Sequence, residues 1–201
     1  MQDAPAPLQY AIAQFERINS EFLKSSEQNE NVLAEEIMSV LQSMEIVDFK
    51  KYGRVEEASE EVTLCYLHAS ETTLVQVNYL APNAFYPAHD HHGFIGVMRV
   101  LEGPMEVQTF AYADGKRPEG DMDPAILNRE KRHTYNSGDI GTILTEESHI
   151  HHITAGPEGA VFIDVLTMYQ NPGSCRFFNS TEIDPDAQSV KVDALFEMAI
   201  H

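Results

Sequence analysis

Residues 86–103 read YPAHDHHGFIGVMRVLEG: three histidines within four positions, followed directly by an apolar, β-branched run that ends in glycine. In an extended chain, residues two apart face the same side, so His89 and His91 share one face while Asp90 and His92 share the other. Histidine is the commonest metal ligand, and the HxH pair can grip one ion.

A second cluster, EESHIHHITAG at 146–156, again places histidines in a β-rich run. Two such clusters on strands of one β-domain can converge. A third imidazole would complete a facial triad, leaving three open positions on an octahedral metal for substrate and oxygen. Strand parity selects His151, with His149 in reserve, and turns His152 the other way. His68, His92, His133 and His201 are read as ordinary surface or hydrogen-bonded histidines.

Around these clusters the β pattern continues as VTLCYLHA, TLVQVNYLAP, GVMRVLEG, MEVQTFAYA, GDIGTILT, HIHHITAG and AVFIDVLTMY, separated by Pro, Gly, Asn and Asp turns. The pattern predicts a mainly β domain, a sandwich or barrel. Ahead of it, residues 7–24 and 30–44 carry apolar side chains at helical spacing and predict two amphipathic helices. The long polar stretch DGKRPEGDMDPAILNREKRHTYNSGD at 114–139 is read as a surface excursion between two hairpins, and the tail from residue 180 is expected to close with a short helix on the outside. The expected organisation is a helical segment at 1–48 packed on a β domain at 49–180, then a tail at 181–201.

With 201 residues, 43% hydrophobic, the chain suits one domain with a proper core. Thirteen Lys and Arg against 32 Asp and Glu give −19, which argues against nucleic acid and anionic membranes as partners. Two cysteines, no basic-then-apolar leader and no apolar run near ~20 residues point to the cytoplasm. A monomer or small homo-oligomer is expected.

HDH followed about a dozen positions later by LEG, then GD and IH beyond the excursion, resembles the cupin fold of the thiol dioxygenases, over roughly residues 60–178. Ordinary cupins add a glutamate ligand four to six residues after the second histidine. Here that window is apolar through Val97, and the first acid is Glu102. The resemblance therefore implies the three-histidine branch: a jelly-roll-like barrel holding Fe(II), a small thiol and O2 as substrates, and a sulfinate as product. The stretch from Cys65 to His91 and FAYADGKRP resemble the bacterial 3-mercaptopropionate and cysteine dioxygenases, whereas IHHITAG, AVFIDVLTMY and CRFF resemble cysteamine dioxygenase and the plant cysteine oxidases.

The resemblance also assigns roles. Gly96 stands where animal cysteine dioxygenases carry a crosslinked cysteine, and Phe177 replaces the tyrosine of a Cys-x-Tyr pair, so neither crosslink forms. The Ser-x-His-x-Tyr relay is absent at Asp164, Leu166 and Met168. Asp164 resembles the acid of the cysteamine branch, where it would hold an ammonium or steer a proton; the alternative is a solvent-facing strand residue. Tyr169 lies near that branch's pocket tyrosine. A carboxylate-bearing thiol needs a cationic clamp, for which Arg176 and Arg99 stand available, each otherwise a surface ion-pair partner. Cys65 and Cys175 are read as core filling. The favoured substrate is cysteine or 3-mercaptopropionate. The alternatives are cysteamine or an N-terminal cysteine, and a non-oxidative metal-binding cupin, such as an isomerase, lyase or ligand-binding module.

Overall fold

The computed structural model describes residues 4–57, 59–120, 123–144, 150–169, 173–179 and 187–200. Among these residues two α-helices, α1 (Ala6–Lys24) and α2 (Glu30–Ser43), and a short 3-10 turn (Phe49–Lys51) precede thirteen strands. These are β1 (Arg54–Glu57), β2 (Val62–Ala69), β3 (Thr73–Leu80), β4 (Phe85–Asp90), β5 (Phe94–Glu102), β6 (Met105–Tyr112) and β7 (Ala125–Tyr135), then β8 (Ile140–Ile143), β9 (Ile150–Ala155), β10 (Ala160–Met168), β11 (Gly173–Phe178), β12 (Ser189–Val192) and β13 (Ala194–Ile200). They form two sheets, ordered β1-β2-β3-β10-β5-β8 and β12-β7-β6-β9-β4-β11-β13, which face each other as the expected jelly-roll-like cupin barrel. The seven runs named from sequence all form strands.

Alternation along the first sheet separates two cores. Ile163 and Val165 of β10, with Val75 and Val77 of β3 and Ile95 and Val97 of β5, point outward and bury Leu8, Phe15, Ile37 and Leu41 of the helices. The intervening residues point into the barrel, where Val100 and Phe162 meet Met105, Val107 and Ile153 of the second sheet. The side chain of Asn29 caps α2 by accepting from the backbone N–H groups of Asn31 and Val32. The glycine of LEG has a physical role: Gly103 sits at φ 74°, and a Cβ there would lie 2.1 Å from the Gly159 carbonyl oxygen.

Two expectations are corrected. The excursion is structured beyond Asp123: β7 occupies its second half and pairs with both β6 and β12. Its first residues alternate buried Ala125 and Leu127 with exposed Ile126 and Asn128, while the polar remainder faces solvent, with Arg132 paired to Glu106 at 2.7 Å. Polar composition concealed a strand because that face needs no apolar residues. The tail does not close with a helix either. It supplies β12 and β13, the latter zipped against β11 from Gly173 to Phe178. Among the described residues, no helix is long and apolar enough to cross a membrane.

Candidate active site

His89 and His151 are direct cross-strand partners on β4 and β9. Their ring centroids lie 4.7 Å apart, and His91, one step past the end of β4, lies 4.9 Å from His89 and 4.7 Å from His151. One ligating atom from each of the three falls within 4.8 Å of the others, a spacing that can hold a metal ion. Phe177 stacks on His89 at 5.0 Å and Phe94 meets His91 edge-on at 5.2 Å, so apolar rings fix both imidazoles.

The protonation states suit metal binding. Burial is the main cause that holds His89 and His151 below the ordinary histidine range, His151 further depressed by the imidazoles of His89, His91 and His152. His89 Nδ1 lies 2.9 Å from the Pro87 carbonyl, which can only accept; Nδ1 therefore carries the proton and Nε2 the free lone pair. Among the described residues the cluster contains no carboxylate.

The histidines open onto a cavity of about 40 Å³ whose walls are largely apolar, including Leu64, Met98, Phe162 and Leu166. Asp164 lines it as well, opposite Gln76 of β3 and Met98 of β5. Its Oδ2 accepts a 2.7 Å hydrogen bond from Asn78 Nδ2, and Gln76 Nε2 in turn donates to Asn78 Oδ1 at 3.2 Å. Burial pushes the Asp164 pKa up to about 7, against the lowering effect of Asn78 and Gln76. No lysine or arginine lines the cavity among the described residues.

The other sequence-predicted residues lie elsewhere. Arg99 shares parity with Ile95 and Val97, faces the helices, and donates to the Leu41 and Met44 carbonyls at the end of α2. Arg176 is 1% exposed, yet it faces outward: Cys175 and Phe177 take the inward positions, and its guanidinium bonds the Pro118 carbonyl at 3.2 Å and Glu197 at 3.3 Å. Neither arginine reaches the cavity, because each is one residue out of phase with its strand's inward face. Tyr169 follows β10, is 44% exposed and is not among the cavity residues. His149 lies outside the described residues, as does His201. His152 points away from the triad into an edge-on contact with Phe85 at 5.0 Å, its pKa depressed to about 4 chiefly by burial. His68 pairs with Glu16 of α1, His133 and His92 are exposed, and Cys65 is packed in the helix-side core. Cys175 instead lines the cavity, where burial drives its thiol pKa well above the usual range.

Sequence reasoning missed Tyr86. Strict alternation places it on the face opposite His89, but a register shift between the two residues turns both inward, with ring centroids 5.0 Å apart. Pro87 was the available signal, since proline within a sheet is confined to edges and bulges.

The PCO_ADO family model matches residues 21–197. No curated protein matches the chain. Similar solved structures include KdgF from Halomonas sp., at 12% identity over 59% of this chain and 88% of that one, with a TM-score of 0.42. An RmlC-like cupin from Shewanella frigidimarina matches at 18% identity over 65% and 96%, TM-score 0.43. A conserved protein with a double-stranded β-helix domain from Klebsiella pneumoniae matches at 17% over 65% and 96%, TM-score 0.45.

Proposed function

The chain belongs to the PCO_ADO family, the cysteine and cysteamine dioxygenases, and from that premise we propose that it is an iron(II)-dependent dioxygenase of 2-aminothiols, cysteamine or the N-terminal cysteine of a peptide. The observation that carries the choice of substrate is the charge of the cavity: it holds one carboxylate, Asp164, and no cation among the described residues. A carboxylate-bearing thiol would meet an acid there and no counter-charge, whereas an ammonium would find its partner.

His89, His91 and His151 are the proposed ligands. Three neutral imidazoles would leave a bound iron(II) its full +2 charge, and the ion would supply the thiol activation and the redox chemistry needed to convert RSH and O2 to RSO2H. The remaining work belongs to the chain. The Pro87 carbonyl fixes the His89 tautomer, and Phe94 and Phe177 hold two of the rings in place and keep water out. Asp164, with Oδ2 engaged by Asn78, offers Oδ1 to the substrate ammonium. An ammonium bound there favours the ionised acid, so substrate itself draws the Asp164 pKa down from about 7.

Oxygen uptake by the Fe(II)-loaded protein tests the reading, with cysteamine, a Cys-initiated peptide, cysteine and 3-mercaptopropionate compared. The aminothiols without a free carboxylate should show kcat/KM at least ~10-fold above 3-mercaptopropionate, the low end of one charge-assisted hydrogen bond. A preference for 3-mercaptopropionate overturns it.

A further inference from the structure

His91 lies beyond the last residue of β4, so the strand ladder does not by itself fix its position. The chain on either side of it is pinned. His89 pairs with Phe177 of β11, and His92 makes a reciprocal backbone pair with Ser174, N to O at 2.9 Å and 2.8 Å. Two residues from such a pair an antiparallel ladder repeats it, which would send the Arg176 N–H to the Asp90 carbonyl. Instead that N–H donates to the Asp90 side chain, Oδ1, at 2.7 Å. The carboxylate has entered the seam between β4 and β11 at the step where His91 leaves the sheet.

The carboxylate is held from every side. Oδ2 accepts from Tyr112 Oη at 2.6 Å and from Arg117 Nε at 2.6 Å, and Arg117 Nη2 reaches Oδ1 at 3.4 Å. Arg117 also meets Ser174 Oγ at 3.3 Å and Glu197 at 3.2 Å, so the polar segment after β6 clasps β4, β11 and β13 together. Asp90 is 2% exposed and points away from the cavity. A carboxylate this buried persists only when its oxygens are filled, which fixes its rotamer and, through it, the backbone of the residues on either side.

We infer that Asp90, clamped by Arg117, is a positioning residue that opens the β4–β11 seam and thereby aims His91 at the other two imidazoles. The inference rests on the reading of the triad as a metal centre. Groups that orient metal ligands from behind contribute 10–100-fold to metal affinity, about the scale expected here.

Cobalt(II) titration of the metal-free protein, followed through its visible bands, tests this without turnover. Asp90→Asn keeps the shape, but its single oxygen cannot serve both Arg176 and the Arg117–Tyr112 pair. It should bind cobalt at least ~10-fold more weakly, with bands shifted toward those of His91→Ala. Arg117→Gln should act in the same direction, and it carries the test should Asp90→Asn not fold. Glu197→Gln, which leaves the Asp90 contacts in place, should keep affinity within about twofold and the bands unchanged. Wild-type affinity and bands in Asp90→Asn and Arg117→Gln overturn the inference, as does a Glu197→Gln defect equal to that of Arg117→Gln, which would mark a general loss of stability. Should His91→Ala itself bind cobalt like the wild type, the triad reading fails instead.

Discussion

Asp164→Asn separates the cavity acid's cost to the fold from its use to the substrate. Folding raises the Asp164 pKa from an ordinary 3.8 to about 7, so the folded chain holds this proton more tightly than the unfolded chain does. The associated stability is therefore complete below about pH 4 and is lost as pH rises through 7. At about 1.4 kcal/mol per tenfold change in proton affinity, the raised pKa lowers the stability of the metal-free protein, relative to acid pH, by roughly 2 kcal/mol at pH 5, where only the unfolded chain has ionised, and by roughly 4 kcal/mol at pH 8. Asparagine carries no such cost and can keep an oxygen for Asn78. Urea unfolding of both metal-free proteins at the two pH values isolates the effect, because every other titrating group is common to both. The stability difference, variant minus wild type, should be about 2–3 kcal/mol larger at pH 8 than at pH 5. A difference that stays constant within about 0.5 kcal/mol would show that the acid is solvated and the electrostatic argument wrong. In the iron-loaded protein the same substitution should raise KM for cysteamine ~10-fold or more while leaving 3-mercaptopropionate unharmed.

Two further outcomes follow from strand parity. His151→Ala should abolish measurable metal binding, whereas His152→Ala, altered on the opposite face, should stay within about threefold by the same titration; the reverse result would mean the ligand register is off by one residue. Arg99→Met and Arg176→Met should cost about 1–3 kcal/mol in denaturant unfolding, through lost helix-end and buried ion-pair contacts, with thiol KM values within about twofold of wild type. A tenfold KM rise for 3-mercaptopropionate in Arg176→Met would restore the carboxylate-thiol reading.

Much of this was legible because a β-strand's period of two is rigid. The same rule that puts His89 and His91 together and turns His152 away also places Asp164 opposite Ile163 and Val165, and the structure has these arrangements. The same period keeps Arg99 and Arg176 out of the cavity, since each stands one residue out of phase with an inward neighbour, Met98 for the first and Cys175 and Phe177 for the second. What sequence could not yield is where the period breaks. The shift between Tyr86 and His89 brings a tyrosine into the cavity that parity assigns to the other side. The polar strand β7 and the terminal β13 were hidden for a different reason: one is satisfied by solvent and the other by pairing with β11, and neither needs the apolar alternation that marks a strand from sequence.

Strand β10 has two landlords. Ile163 and Val165 answer to the helices, while Phe162, Asp164 and Leu166 answer to the cavity, all on one stretch of backbone. A substitution in α1 or α2 that changes how deeply those two side chains seat must tilt the same peptide units that carry the acid. If Asp164 selects the thiol as proposed, substrate preference is open to adjustment from the helix surface, with no cavity residue replaced.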